Sequence, residues 1–329
     1  MKHLVCNNTG HVEVVDVPPP SARPGDILVR MAACGVCGTD LMKVYDATMA
    51  KPVQLGHEIV GTRLDTGLRV AVAHHAPDAA SHYTRRGSPT QDPTFKATNV
   101  DPGGFAEVIR VPADIAPHTV IPIPDHVPDL RAVFMEPLAC CLRAVERVPI
   151  VKGDTVAIVG VGAIGLLFVP LMKHLGAQVI AVDVRADRLD VAKTWGADDI
   201  SLANDGDLPA KARALSHKRG ADVVILTATN AATLRLALGT VRDGGTIVPF
   251  GVKPGPETPF DFWQIYRREI SLVTSYSATP QGLARAMQLL SGPGFELESL
   301  ISHTFTLDEA GQGFDLLHQA KASKVIITP

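Results

Sequence analysis

Four side chains at separated positions have the chemistry of metal ligands. They are Cys37, within Cys34-Gly-Val-Cys37-Gly-Thr39-Asp40, the adjacent pair His57 and Glu58, and Glu136 ahead of Pro137. Thiolate, imidazole and carboxylate are the ligand types that proteins offer to transition metals. Taken singly, each residue has an ordinary explanation: Cys34 and Cys37 a redox pair, His57 a hydrogen-bonded core histidine, Glu136 a solvated helix residue. The set reads differently if the same chain also binds a redox cofactor, and one stretch says that it does.

In that stretch an apolar run, Thr155 to Val159, leads into Gly160-Val-Gly162-Ala163-Ile164-Gly165 and on to an apolar segment closed by Gly176. The order reads strand, tight turn, helix. The glycines permit in turn the sharp turn, the approach of a pyrophosphate to backbone N–H groups, and close packing of helix on strand. A second apolar run ends on Asp183, about twenty residues past the glycines, where a carboxylate accepts the hydroxyls of an adenosine ribose. Such a carboxylate repels a 2′-phosphate and predicts NAD over NADP, although Arg185 and Arg188 stand close by in sequence. A glycine triplet alone also suits a packing turn in another α/β protein. Here the strand before it, the helix after it and the acidic partner favour a dinucleotide site.

The elements that must position these residues fall into two halves. A chain of 329 residues is long for one core and suits two domains. Residues 11 to 17, 26 to 33, 56 to 64, 68 to 73 and 105 to 111 read as short strands separated by turns, as in a small barrel-like β domain. Between them residues 74 to 104 are polar and aperiodic, a surface lobe or long loop. Prolines 122, 124 and 128 form a stiff connector, and residues 130 to 148 have helical spacing. From residue 154 strands and helices alternate, predicting a doubly wound parallel sheet. Helices at 281 to 290 and 308 to 319 and a strand at 324 to 327 follow, the strand being placed to return to the first domain. The expected division is 1–124 with 276–329 for the β domain and 125–275 for the nucleotide domain.

With 46% hydrophobic and 20% charged residues and no apolar run long enough for a bilayer, the chain reads as soluble and globular. A net charge of −3 with scattered Lys and Arg offers no footprint for nucleic acid or anionic membrane. The five cysteines, an odd number in a long chain, argue against a disulfide framework and for the cytoplasm.

These motifs resemble those of the zinc-dependent medium-chain dehydrogenase/reductase family, and within it the sorbitol and threonine dehydrogenase branch. The matching segments are GxCGTD at 35–40, GHE at 56–58, GGFAE at 103–107 and the nucleotide fingerprint at 160–165. The resemblance covers nearly the whole chain. It implies an α/β protein with a GroES-like β-barrel catalytic domain and a Rossmann domain. It further implies a catalytic zinc on Cys37 and His57, with Glu136 replacing the third cysteine of other members and Glu58 as the competing carboxylate. Thiolate, neutral imidazole and one carboxylate balance Zn²⁺, whereas two carboxylates would leave the site negative, so one glutamate binds at a time. By the same resemblance Thr39 takes the substrate proton, Thr227 and Phe250 line the nicotinamide pocket, and the assembly is a homodimer or homotetramer.

Two departures stand out. Met42 occupies the position where related enzymes often carry a proton-relaying histidine, with Lys43 beside it. The lobe at 74–104 has Asp78, Ser81, Thr84 and Asp92 where the family often has four cysteines around a structural zinc. Hydroxyls are poor zinc ligands, so a single catalytic zinc is expected, with Arg85 or Arg86 near enough to pair with Asp78 or Asp92. The resulting expectation is hydride transfer between NAD and a secondary alcohol: a polyol, sugar alcohol or amino alcohol. A zinc-free enoyl or quinone reductase of the same fold and a non-catalytic nucleotide-binding protein are the alternatives.

Overall fold

The computed structural model describes residues 1–7, 10–46, 48–49, 53–255, 257–258 and 260–329. The chain forms two compact units, Met1–Ala139 with Ala278–Pro329, and Cys140–Ser277. Among the described residues no helix is long and apolar enough to cross a membrane.

The first unit is built on a seven-stranded sheet. In Ile27–Gly35, Val29, Met31 and Ala33 are buried while Arg30 faces solvent, the period of two expected of a half-buried strand. It pairs antiparallel with Glu58–Arg63 along one side and with Val108–Val111 and Lys324–Thr328 along the other. Arg69–Val72 and Val120–Pro122 extend the sheet beyond Glu58–Arg63, and Ile301–Thr306 lies parallel to Lys324–Thr328. The chain's last strand therefore does return to the first unit, setting Ile326 against Gly35 and Ile327 against Cys34. A separate hairpin, Lys2–Cys6 with Val12–Asp16, joins the same core, in which Leu4, Met31, Ile59, Phe105, Ile109 and Phe314 are buried.

The second unit holds six parallel strands in the order Asp199–Leu202, Gln178–Asp183, Thr155–Val159, Ala221–Leu226, Val241–Pro249, Ser271–Leu272. Numbered by sequence the order is 3-2-1-4-5-6, the dinucleotide-binding arrangement, which reverses direction between Thr155–Val159 and Ala221–Leu226. Every residue of those two strands is buried, as a parallel sheet covered on both faces requires.

Several elements differ from expectation. The helix read at 130–148 is two helices, Asp129–Ala132 and Met135–Glu146. Pro137 explains the break: a residue without an N–H is tolerated only in a helix's first turn, so a new helix must begin just before it. The first compact unit ends at Ala139, within Met135–Glu146. In the parallel sheet Val241–Pro249 is the longest strand and the edge strand Ser271–Leu272 the shortest. The lobe at 74–104 folds into short helical pieces, His82–Arg85, Pro89–Gln91 and Pro93–Ala97. Strands Lys2–Cys6, Val120–Pro122 and Ile301–Thr306 carried too weak a pattern to be foreseen.

Candidate active site

Cys37 is the N-cap of the helix Gly38–Tyr45, directly after the central strand of the first unit. Asp40, three residues on, reaches back so that one carboxylate oxygen accepts the Cys37 N–H at 3.0 Å, while the other accepts the Gly56 N–H at 3.0 Å. One fully buried carboxylate thus ties the cysteine segment to the histidine segment. Oδ1 of Asp40 also lies 3.6 Å from His57 Nδ1, close enough to attract a charge on the ring, and His57 Nε2 lies 3.4 Å from Thr39 Oγ1.

Glu58 begins the neighbouring strand and is buried. Its Oε2 is ion-paired with Lys324, itself buried, whose ammonium also donates to the Val36 carbonyl at 3.1 Å. Gly35 makes room for this pair, because a Cβ there would overlap Glu58 Oε2 and lie 2.9 Å from Lys324 Cε. Glu58 Oε1 has no hydrogen-bond partner among the described residues.

Ligand atoms of Cys37, His57 and Glu58 lie within 4.8 Å of one another. Glu136 is buried in the first turn of Met135–Glu146, but the cluster does not include it. Acidic neighbours govern the charges of the basic groups in and beside this cluster. Burial opposes a charge on His57, yet Asp40 and then Cys37 outweigh it and raise the imidazole well above its usual range. Burial likewise disfavours the Lys324 charge, and Glu58 followed by Cys37 overcomes it and raises that pKa too. By contrast Cys34 is fully buried, and burial pushes its thiol well up, which leaves it inert as a ligand or redox partner.

In the second unit the glycine turn has the form its sequence suggests. Gly160 has φ +91°, Gly162 caps the helix Ala163–His174, and a Cβ on Gly165 would overlap the Gly160 carbonyl. The turn is held from two sides: Thr227 Oγ1 donates to the Gly160 carbonyl at 2.6 Å, and Asp183 Oδ2 accepts the Val161 N–H at 2.8 Å. Asp183 Oδ1 accepts the Arg185 N–H at 3.0 Å, and Arg188 Nη1 stands 3.7 Å from Oδ2. Ala163 and Ile164 open the helix, and half-buried Phe250 packs edge-on against Phe168 at 5.1 Å. The structure thus gathers Gly160, Gly162, Gly165, Asp183, Arg188 and Thr227 around one strand-to-helix turn.

The lobe is held without thiolates. Asp92 Oδ2 accepts the Asp78 N–H at 2.8 Å and Oδ1 accepts the Thr94 N–H at 2.9 Å. Thr84 Oγ1 donates to the Asp78 carbonyl at 2.8 Å and lies 3.1 Å from Ser81 Oγ. The four residues that stand in place of cysteines are therefore joined directly to one another or through adjacent backbone. Among the described residues no ion pair links Asp78 or Asp92 to Arg85 or Arg86; backbone N–H groups, which cost no side-chain ordering, take that role.

Sequence reasoning missed Asp40 and Lys324. Asp40 stood in a quoted motif without a role, whereas Lys324 has no local signal and acquires its role only through strand pairing.

Residues 23–125 match the alcohol dehydrogenase GroES-like domain and residues 163–292 the zinc-binding dehydrogenase family. The chain is 29% identical to an L-threonine 3-dehydrogenase of Anaeromyxobacter dehalogenans (strain 2CP-C), over 95% of this chain and 93% of that protein. It is 29% identical to a sorbitol dehydrogenase of Bacillus subtilis (strain 168), over 100% and 97%. Among solved structures, a protein of Sinorhizobium meliloti 1021 described as a zinc-binding dehydrogenase and bound to NADP superposes with a TM-score of 0.88. It is 30% identical, over 100% of this chain and 99% of that one. The chain belongs to the zinc-dependent medium-chain dehydrogenase/reductase family and is similar to its sorbitol and threonine dehydrogenases, oxidoreductases that act on alcohols.

Proposed function

We propose that this enzyme transfers a hydride between NAD and the secondary hydroxyl of a polyol, sugar alcohol or amino alcohol. The observation that carries the reading is the convergence of ligand atoms of Cys37, His57 and Glu58 within 4.8 Å of one another. Zinc, when bound there, supplies a Lewis acid that lowers the pKa of the alcohol.

The chain's own residues have separable roles. Cys37 and His57 hold the metal with one glutamate at a time. Glu58 is the carboxylate within the cluster, and Glu136 is its alternative. Asp40 lies 3.6 Å from the imidazole and ties the Cys37 segment to the segment before His57 by accepting the Cys37 and Gly56 N–H groups. Thr39, 3.4 Å from His57 Nε2, accepts the hydroxyl proton. Met42 leaves that proton without the histidine route of related enzymes. In the nucleotide unit the glycine turn takes the pyrophosphate and Asp183 the adenosine ribose.

NADP is the competing cofactor, because Arg188 stands beside Asp183 and a relative has been solved with NADP. Assembly as a homodimer or homotetramer in the cytoplasm completes the reading, and five cysteines, none of them in a disulfide among the described residues, suit a reducing compartment.

The test is a panel of polyols, 3-hydroxy amino acids and simple secondary alcohols, followed by nucleotide absorbance, with bound zinc measured in parallel. Turnover on at least one class by zinc-containing protein is expected. Stoichiometric NADH binding without turnover on any of them would overturn the reading.

A further inference from the structure

The cluster of Cys37, His57 and Glu58 has a cation built against it. Lys324 is the one buried lysine among the described residues, and its ammonium meets the site on two sides. It is ion-paired with Glu58 Oε2, and it donates to the carbonyl of Val36, the residue before Cys37. Pairing of Ile326 with Gly35 brings it there, and the missing side chain of Gly35 gives it room. A buried ammonium is costly without a counter-ion, and Glu58 is that counter-ion.

The same carboxylate belongs to the metal cluster, so Lys324 and a bound metal share one side chain. Oε2 is engaged by the ammonium, whereas Oε1 has no hydrogen-bond partner among the described residues. A neighbour that accepts a hydrogen bond from a ligand makes it a stronger donor to the metal. A cationic hydrogen-bond donor does the reverse, because it draws electron density out of the carboxylate. Charge points the same way. With Cys37, Asp40 and Glu58 ionised the site carries three negative charges; Lys324 leaves two, which Zn²⁺ balances. Without Lys324 the loaded site would be negative, a tighter hold on zinc and a weaker Lewis acid.

We propose that Lys324 is a positioning residue that restrains Glu58, holding Oε2 so that only Oε1 is offered to zinc, and thereby keeps zinc affinity below what the ligands alone would reach. The inference rests on the zinc reading of the cluster and goes beyond it in making metal affinity a property of the last strand.

The experiment starts from zinc-loaded wild type, Lys324→Met and Lys324→Arg and measures the Kd of zinc for each by competition with a chelator. Samples carrying Co²⁺ instead are compared by visible absorption. If Lys324 merely supported a ligand, its removal would weaken zinc binding by about 10–100-fold. Restraint of Glu58 predicts the opposite sign: zinc bound about tenfold more tightly by Lys324→Met. Its cobalt absorption should weaken, as both oxygens of Glu58 close on the ion and the coordination number rises. Lys324→Arg keeps the charge, and its fork suits both carboxylate oxygens, so it should bind zinc no more tightly than wild type. Adding Glu58→Gln to Lys324→Met should abolish the tightening. Zinc bound equally or more weakly by Lys324→Met, an unchanged cobalt spectrum, or tightening that persists with Glu58→Gln would overturn the inference and leave the zinc reading standing. Should Lys324→Met fail to fold, Lys324→Arg decides, and tighter zinc there would overturn it too. Wild type that binds no zinc would overturn both.

Discussion

Lys324→Met tests the electrostatic design of the site. The substitution removes the ammonium but keeps an apolar stem of similar length, leaving the buried Glu58 carboxylate without its ion pair and the Val36 carbonyl without its donor. Breaking a buried pair by deleting one partner costs about 3–5 kcal/mol. The expected loss of stability in zinc-free protein is therefore about 3–5 kcal/mol at pH 7. Both tryptophans, Trp195 and Trp263, lie in the other compact unit, so intrinsic fluorescence is the wrong probe. Hydrogen exchange read on peptides of Ile27–Gly35 and Glu58–Arg63 measures the opening of the right unit. Adding Glu58→Gln to Lys324→Met should restore most of the loss. A cost below about 1 kcal/mol at pH 7, or a double variant no more stable than the single one, would refute the argument that this pair is a buried, mutually dependent charge pair.

Other outcomes follow from the same geometry. Cys37→Ser and His57→Ala should each abolish turnover and lower zinc content while NADH binding, by fluorescence titration, stays close to wild type; a Cys37→Ser enzyme with full zinc and full activity contradicts the ligand assignment. Asp183→Ala should narrow the preference for NAD over NADP in kcat/KM, and wild type using NADP as well as NAD would remove the role given to the carboxylate. In the lobe, burial works against an ionised Asp92, but N–H groups of Thr94 and Asp78 and the Ser81 hydroxyl outweigh it and hold the carboxyl below its usual range. A lowered folded-state pKa contributes stability that is present above the unfolded value of about 3.9 and lost as pH falls through the folded one. Limited proteolysis of residues 74–104 should therefore rise in strong acid for wild type, and at neutral pH already for Asp92→Asn; identical cleavage of the two proteins at pH 7 would deny Asp92 its role. Elemental analysis after extensive dialysis should find a single zinc per chain, and a second that survives Cys37→Ser would contradict the expectation that the lobe binds none.

The nucleotide turn was legible because its requirements are local. Gly160, Gly162 and Gly165 meet conformational and packing demands within one strand-to-helix turn, and Asp183 closes the next strand of the same unit. Alternation of apolar runs with helical periods likewise announced a parallel sheet, since each strand is covered on both faces by segments close to it in sequence. The first unit was harder to read. Its strands are short, and their partners lie far along the chain: Ile27–Gly35 pairs with Lys324–Thr328 as well as with Glu58–Arg63 and Val108–Val111.

Sequence by itself therefore determined the kinds of ligand available, the glycine turn and the division into a β unit and a doubly wound unit, because each follows from residue type or from spacing along a single element. Tertiary structure alone decided which groups meet. Antiparallel register sets Ile326 beside Gly35 and so delivers Lys324 to Glu58 across 266 residues. Asp40 closes the gap between Cys37 and Gly56, and the fold of the lobe stacks His74 and His75 beside His57. Such meetings depend on long-range strand pairing and side-chain packing, which no local pattern encodes, and they set the charge, the proton contacts and the free hydrogen-bonding groups of the site.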